Sequence, residues 1–191
     1  MWTTQYNANE LPTAATPAWT KEGAFATEEI SPAGILHIIS DAVSGYGLYG
    51  RYSLNFSNSA GGTLEVKLKI VEADEEYDCY FLLRDGTKNH EVAITNTSVI
   101  LSPNISPQTY SMNTTDDYHT YRLTGQGSTS KLYIDGILRL THTNPGSSAV
   151  NGVEFGNVTP TGSELLWDYV YYRTDGAFKP GEGVSLYFDD N

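Results

Sequence analysis

The chain has 191 residues and a formal charge of −12, from 23 acidic against 11 basic side chains. That excess of carboxylate speaks against nucleic acid as a partner, because phosphates need a positive surface. The 39% hydrophobic and 12% aromatic content supplies one sizeable core. A single cysteine, Cys79, excludes an intrachain disulfide. No signal peptide, transmembrane run or lipidation motif is legible, so membrane insertion is not expected.

Fourteen Tyr, three Trp and six Phe favour strands over helices, and Gly, Ser, Thr and Asn punctuate the chain at short intervals. Residues 1–23 are polar, with Pro12 and Pro17 opposing a regular central strand. Trp2, Tyr6 and Trp19 predict a segment pinned to the body by aromatic anchors. Residues 34–39 are a buried-strand candidate, and 44–50 a glycine-tyrosine loop. Residues 51–56 alternate, with Tyr52, Leu54 and Phe56 expected inward. Residues 64–70 alternate most clearly: Leu64, Val66, Leu68 and Ile70 on one face, Glu65, Lys67 and Lys69 on the other. Residues 71–76 read as an acidic turn. In 78–84, Cys79, Phe81 and Leu83 face in, while Asp78, Tyr80, Leu82 and Arg84 face out, so Cys79 is expected to behave as a small buried hydrophobe. Asp85-Gly86 marks a hairpin turn before Val92 and Ile94, with His90 in phase with both. Residues 99–101 form a short strand, and 102–117 a long edge or rim loop.

Residues 118–124 alternate again, with Tyr121 and Leu123 on one face. Asp135-Gly136 separates 131–134 from 137–142, a strong hairpin signal because a type I′ turn needs positive φ at both central residues. Residues 153–155 are a short strand and 165–173 a long aromatic one, with Trp167, Tyr169 and Tyr171 expected in the core. Residues 184–188 are a final edge-strand candidate. No linker interrupts this rhythm, so one domain over 1–191 is expected.

The order of the last third is distinctive: a Tyr-His-x-Tyr start, a Tyr-Ile-Asp-Gly hairpin, a Glu-Phe-Gly strand, then Trp-Asp-Tyr-Val-x-Tyr. It resembles the closing half of concanavalin A-like sandwiches, the superfamily of laminin G-like domains, legume-lectin relatives, glucanases and polysaccharide-lyase jelly rolls. The resemblance implies an all-β, two-sheet antiparallel jelly roll whose concave sheet binds or cleaves glycans.

With neighbouring strands, one face would present Arg51, Asn55, Glu65, Lys67, Tyr80 and Arg84 to a glycan, joined by Asp78 and Glu91. For an enzyme the candidates are Glu65 with Asp78, or Tyr80 with Arg84. Glucanases of the superfamily carry a Glu-x-Asp-x-x-Glu strand; here residues 63–69 offer Glu65 with Lys67 and Lys69 in the partner positions. No Ser-His-Asp motif, Cys/His metal cluster or phosphate-cradling glycine loop is legible. The resemblance also implies a structural Ca²⁺ held by Asp168, with Glu22 and Gly23 as the suggested N-terminal partners.

The leading expectation is a non-catalytic, lectin-like or surface-adhesion module for a glycan or polysaccharide, extracellular, cell-surface or virion-associated. The alternatives are a glycoside hydrolase or polysaccharide lyase using the same groove, and a decoration protein of a virion or other assembly that contacts structural proteins.

Overall fold

The computed structural model describes residues 1–73, 78–159 and 162–182. Among them no helix forms, and no helix is long and apolar enough to cross a membrane. The strands are β1 (Thr4–Tyr6), β2 (Thr20–Gly23), β3 (Thr27–Ile30), β4 (Leu36–Ser40), β5 (Gly47–Tyr52), β6 (Gly62–Ala73), β7 (Cys79–Asp85), β8 (Lys88–Ile94), β9 (Ser98–Leu101), β10 (Gln108–Ser111), β11 (His119–Gln126), β12 (Thr129–Ile134), β13 (Ile137–Thr143), β14 (Gly146–Ser147), β15 (Asn151–Asn157) and β16 (Ser163–Arg173).

They pair antiparallel into two sheets. The β6 sheet runs β13-β12-β11-β6-β16-β4-β3, with β1 against the far end of β16. The β7 sheet runs β10-β9-β8-β7-β15-β5-β2, with β14 beside β8. Alternation explains how they close on each other. Leu64, Val66, Leu68 and Ile70 face one way from β6, Cys79, Phe81 and Leu83 face back from β7, and all seven are fully buried. Burying each large apolar side chain contributes about 1.5–3 kcal/mol, so this double row anchors the sandwich. Phe155 lies 4.9 Å from Trp167 and 5.1 Å from Trp19, ring centre to ring centre, which joins the two sheets and the N-terminal segment. Tyr6 and Trp19 are both core residues.

The Asp135-Gly136 turn has φ of +50° and +82°, as a type I′ turn requires. Asp85-Gly86 is looser: only Gly86 has positive φ, and the Asp85 carboxylate accepts from the Thr87 and Lys88 amides.

Three expectations fail for local reasons. First, β6 and β7 follow each other in sequence but belong to opposite sheets, so their outward faces look away from each other. Second, Tyr52 points outward, not inward. β5 ends there, and Ser53, at φ +56°, resets the phase so that Phe56 alone of the trio is fully in the core. Third, the pairing of β16 with β6 shifts between Trp167 and Tyr169. This bulge leaves Asp168 without a partner in the ladder and inverts the alternation. Trp167, Val170 and Tyr172 are buried, whereas Tyr169 and Tyr171 stack on the outer face, 4.3 Å between ring centres. The turn expected over 71–76 begins late, because β6 runs to Ala73; its remainder and the strand expected at 184–188 lie outside the described residues. The rim loop at 102–117 contains β10, at the edge of the β7 sheet.

Candidate functional site: a groove across the β7 sheet

The outer face of the β7 sheet is not an ordinary wet surface. Leu48, Tyr80, Leu82 and Ala93 form a second apolar cluster there, flanked by Ile100 and Val158. Register explains it: Leu82 of β7 lies opposite Glu91 of β8 on one side and Glu154 of β15 on the other, and Glu154 lies opposite Gly50 of β5. All four share one face, since directly paired residues point the same way. An apolar floor therefore has one carboxylate on each flank.

Two adjoining hollows open over this floor. One, of about 250 Å³, is lined by Leu48, Tyr80, Arg84, Asn104, Glu154 and Val158, with Pro103 at its rim. The other, of about 560 Å³, adds Glu22, Tyr46, Tyr52 and Val150. Leu48, Arg84 and Glu154 belong to both, so the hollows form one groove crossing the strands.

Glycine shapes the groove. A Cβ at Gly50 would lie 2.3 Å from the Tyr52 ring, and one at Gly152 would lie 3.2 Å from it. Only because both residues are glycine does this ring lie down on the sheet. The glycine-tyrosine run thus becomes an aromatic wall.

The polar groups are held in two short networks. Arg84 donates to Glu154 at 2.5 Å, and the Tyr52 hydroxyl donates to Glu22 at 2.7 Å while also reaching Glu154. Across the floor, Asn104 donates to Glu91 at 2.9 Å, and Asn89 and Tyr80 donate to the same carboxylate. Glu154 is only 5% exposed. Burial pushes its pKa up, with Arg84 and the Tyr52 hydrogen bond pulling the other way. Burial and the neighbouring Glu91 likewise raise the Tyr80 phenol, so it stays a neutral hydrogen-bonding group.

No protein-family model matches the chain, and no curated protein matches it in sequence. Solved structures match it in shape. A prokaryotic β-1,3-1,4-glucanase (lichenase) from a mouse hindgut metagenome superposes with a TM-score of 0.63 at 14% identity, covering 90% of this chain and 98% of its own. The Bacillus licheniformis β-glucanase gives 0.57 at 16% identity, covering 85% and 95%. A conserved carbohydrate esterase of the Shiga toxin-encoding bacteriophage phi24B gives 0.60 at 11%, covering 91% and 100%. The chain has the concanavalin A-like jelly-roll fold. At these identities the likeness concerns fold and leaves the site to be read from its own residues.

Within the concanavalin A-like sandwich, the expected site residues scatter. Tyr80 and Arg84 reach the groove. Glu65 and Lys67 lie on the outer face of the opposite sheet, where Glu65 is bound by Arg122 and Lys67 by Asp168 at 2.7 Å. Asp78 is fully buried just before β7 and accepts from the Thr159 hydroxyl. Glu65 and Asp78 are therefore never a pair. Arg51 donates to the Pro17 carbonyl, and Asn55 is exposed in the connection after β5. Asp168 sits on the β6 sheet, paired with Lys67, and Glu22-Gly23 on the edge strand of the β7 sheet, where Glu22 accepts from the Tyr52 hydroxyl. Among the described residues no three His, Cys, Asp or Glu side chains gather to hold a metal ion.

The structure also assembles a Ser130–His90–Asp85 chain that no sequence motif announced. His90 Nδ1 is 2.7 Å from Ser130 Oγ, and Nε2 is 3.6 Å from Asp85. All three side chains are buried in the interior, so the chain serves the fold. Besides Tyr52, which the inward expectation misplaced, Glu154 is a groove residue that sequence reasoning missed. Its signal was the single carboxylate between inward Val153 and Phe155, which alternation sends outward.

Proposed function

We propose that the chain is a carbohydrate-binding module that holds a glycan in the groove across the β7 sheet, with Tyr52, Tyr80, Arg84, Glu91 and Glu154 as its contacts. The observation that carries this reading is the lining of the groove. Ring faces and an apolar floor stand beside fixed carboxylate, guanidinium, amide and phenol groups, the mixture a saccharide requires. Its C–H faces need apolar cover, and its hydroxyls need oriented polar partners. The outward positions of the central strand β7 are Tyr80, Leu82 and Arg84, with no carboxylate among them, which favours binding over cleavage. Structural neighbours described as glucanases and a carbohydrate esterase support a saccharide as the ligand class, and the phage-borne neighbour supports a virion-associated or extracellular setting.

One observation favours a second reading, hydrolysis. Glu91 and Glu154 flank Leu82 from strands on either side of β7, which spaces their Cα atoms about 10 Å apart. That is compatible with the roughly 6.5–9.5 Å carboxyl separation of inverting glycosidases, and the raised pKa of Glu154 suits an acid.

A glycan array followed by calorimetry separates these readings. Wild type is expected to bind without releasing product, and Tyr52→Ala is expected to weaken binding about tenfold. Product release abolished by Glu154→Gln would put hydrolysis first. No binding at all would overturn both and leave a decoration role in an assembly.

A further inference from the structure

The β6 sheet carries a cleft of its own. It has a volume of about 410 Å³ and lies between the outer face of β11 and β12 and the segment 177–182 that folds back over them. Thr124, Thr129, Lys131, Tyr133, Lys179 and Glu182 line it, with the Gln126 carboxamide at one side. Register places Lys131 directly opposite Thr124, and Tyr133 two residues further along the same face. The wall thus offers hydroxyls, a phenol ring and ammonium groups, and its charged residues are two lysines against one glutamate. In a chain of net charge −12, that balance is unusual.

The decisive residue is Lys131. The chain has eleven Lys and Arg side chains. Six are ion-paired with carboxylates. Three donate to backbone carbonyls, and Arg139 lies over the Tyr110 ring. Among the described residues, Lys131 alone of the eleven has no such partner. Lys179 is held by Glu182 at 3.0 Å, which leaves the Lys131 ammonium free to meet a ligand.

We propose that this cleft is a second saccharide site, selective for a sugar bearing a carboxylate. The acid meets the Lys131 ammonium, the ring hydroxyls meet Thr124 and Thr129, and the C–H face lies against Tyr133. The groove on the other sheet has the opposite balance: Glu22 and Glu154 face a single Arg84 that Glu154 already occupies. The two sites therefore divide acidic from neutral sugars.

The test uses the full chain, a trigalacturonate, and its methyl ester, which keeps the shape and removes the charge. Calorimetry at low salt is expected to show the acid bound at least about fivefold more tightly than the ester. Lys131→Gln should bring the acid down to the ester's level, and Lys131→Arg should preserve the preference. Because Lys131 is exposed, both Lys131 variants are expected to melt with the wild type. Equal binding of acid and ester, absence of binding by either, or a preference that survives Lys131→Gln would overturn the proposal. None of these results bears on neutral glycans in the groove.

Discussion

The two outer faces of this sandwich carry similar residue types and use them differently. On the β6 sheet, Glu65 and Arg122 are joined by two hydrogen-bonded contacts of 2.5 and 2.6 Å, and both are 8% exposed. Tyr169 also donates to Glu65, Trp2 lies against the guanidinium of Arg122, and the Lys179 carbonyl accepts from it. Both ends of the described chain thus close over one ion pair. On the β7 sheet, Arg84 and Glu154 form a pair of the same length, but it opens onto a groove. A charge pair enclosed by its own chain serves cohesion; one that lines a hollow is available to a ligand.

Substitutions on each face test that contrast, and the largest effect belongs to the enclosed pair. Glu65→Ala strands Arg122 in a buried position and is expected to cost about 3 kcal/mol of stability, read from the urea midpoint, while groove affinity stays unchanged. If affinity falls in step, the faces are coupled and the contrast fails. Arg84→Gln should do the reverse, weakening glycan binding about tenfold while lowering stability by only about 1 kcal/mol, because Glu154 keeps the Tyr52 hydrogen bond.

The smallest effect is at the rim of the β6 sheet. Burial lowers the pKa of His119, but hydrogen bonds with Asp116 and Asp135 outweigh it, and the net direction is upward from 6.5. A base with a raised folded pKa contributes stability that is complete below its unfolded pKa and is lost as pH rises through the folded value. Between about pH 6 and about pH 8 the wild type should therefore lose more thermal stability than His119→Gln. Parallel melting curves would show the contact to be silent.

Much of this architecture was legible in the sequence. The Leu64-to-Ile70 alternation, the inward phase of Cys79, Phe81 and Leu83, and the Asp135-Gly136 turn were read from local periodicity and turn chemistry, and all hold because each is set by residues close in sequence. What escaped depends on more distant partners. A long strand followed by a short connection reads as a hairpin, yet β6 and β7 cross between sheets, so Glu65 and Arg84 end on opposite sides. One unpaired residue, Asp168, reverses the facing of Tyr169 and Tyr171, and no period-two pattern anticipates it. Glu91 and Glu154 meet across Leu82 only through the pairing of β15 with β7, which brings distant segments of the chain together.

The three tryptophans also divide the molecule optically. Trp19 and Trp167 are sealed in the core against Phe155, so their emission reports unfolding and little else. Trp2 alone lies on a face, against the same Arg122 whose register partner is Tyr133 and whose guanidinium donates to the Lys179 carbonyl. A saccharide entering that cleft would perturb one native fluorophore, whereas a saccharide in the opposite groove would leave all three dark to its arrival. The chain therefore contains its own reporter for telling the two sites apart, with no label attached.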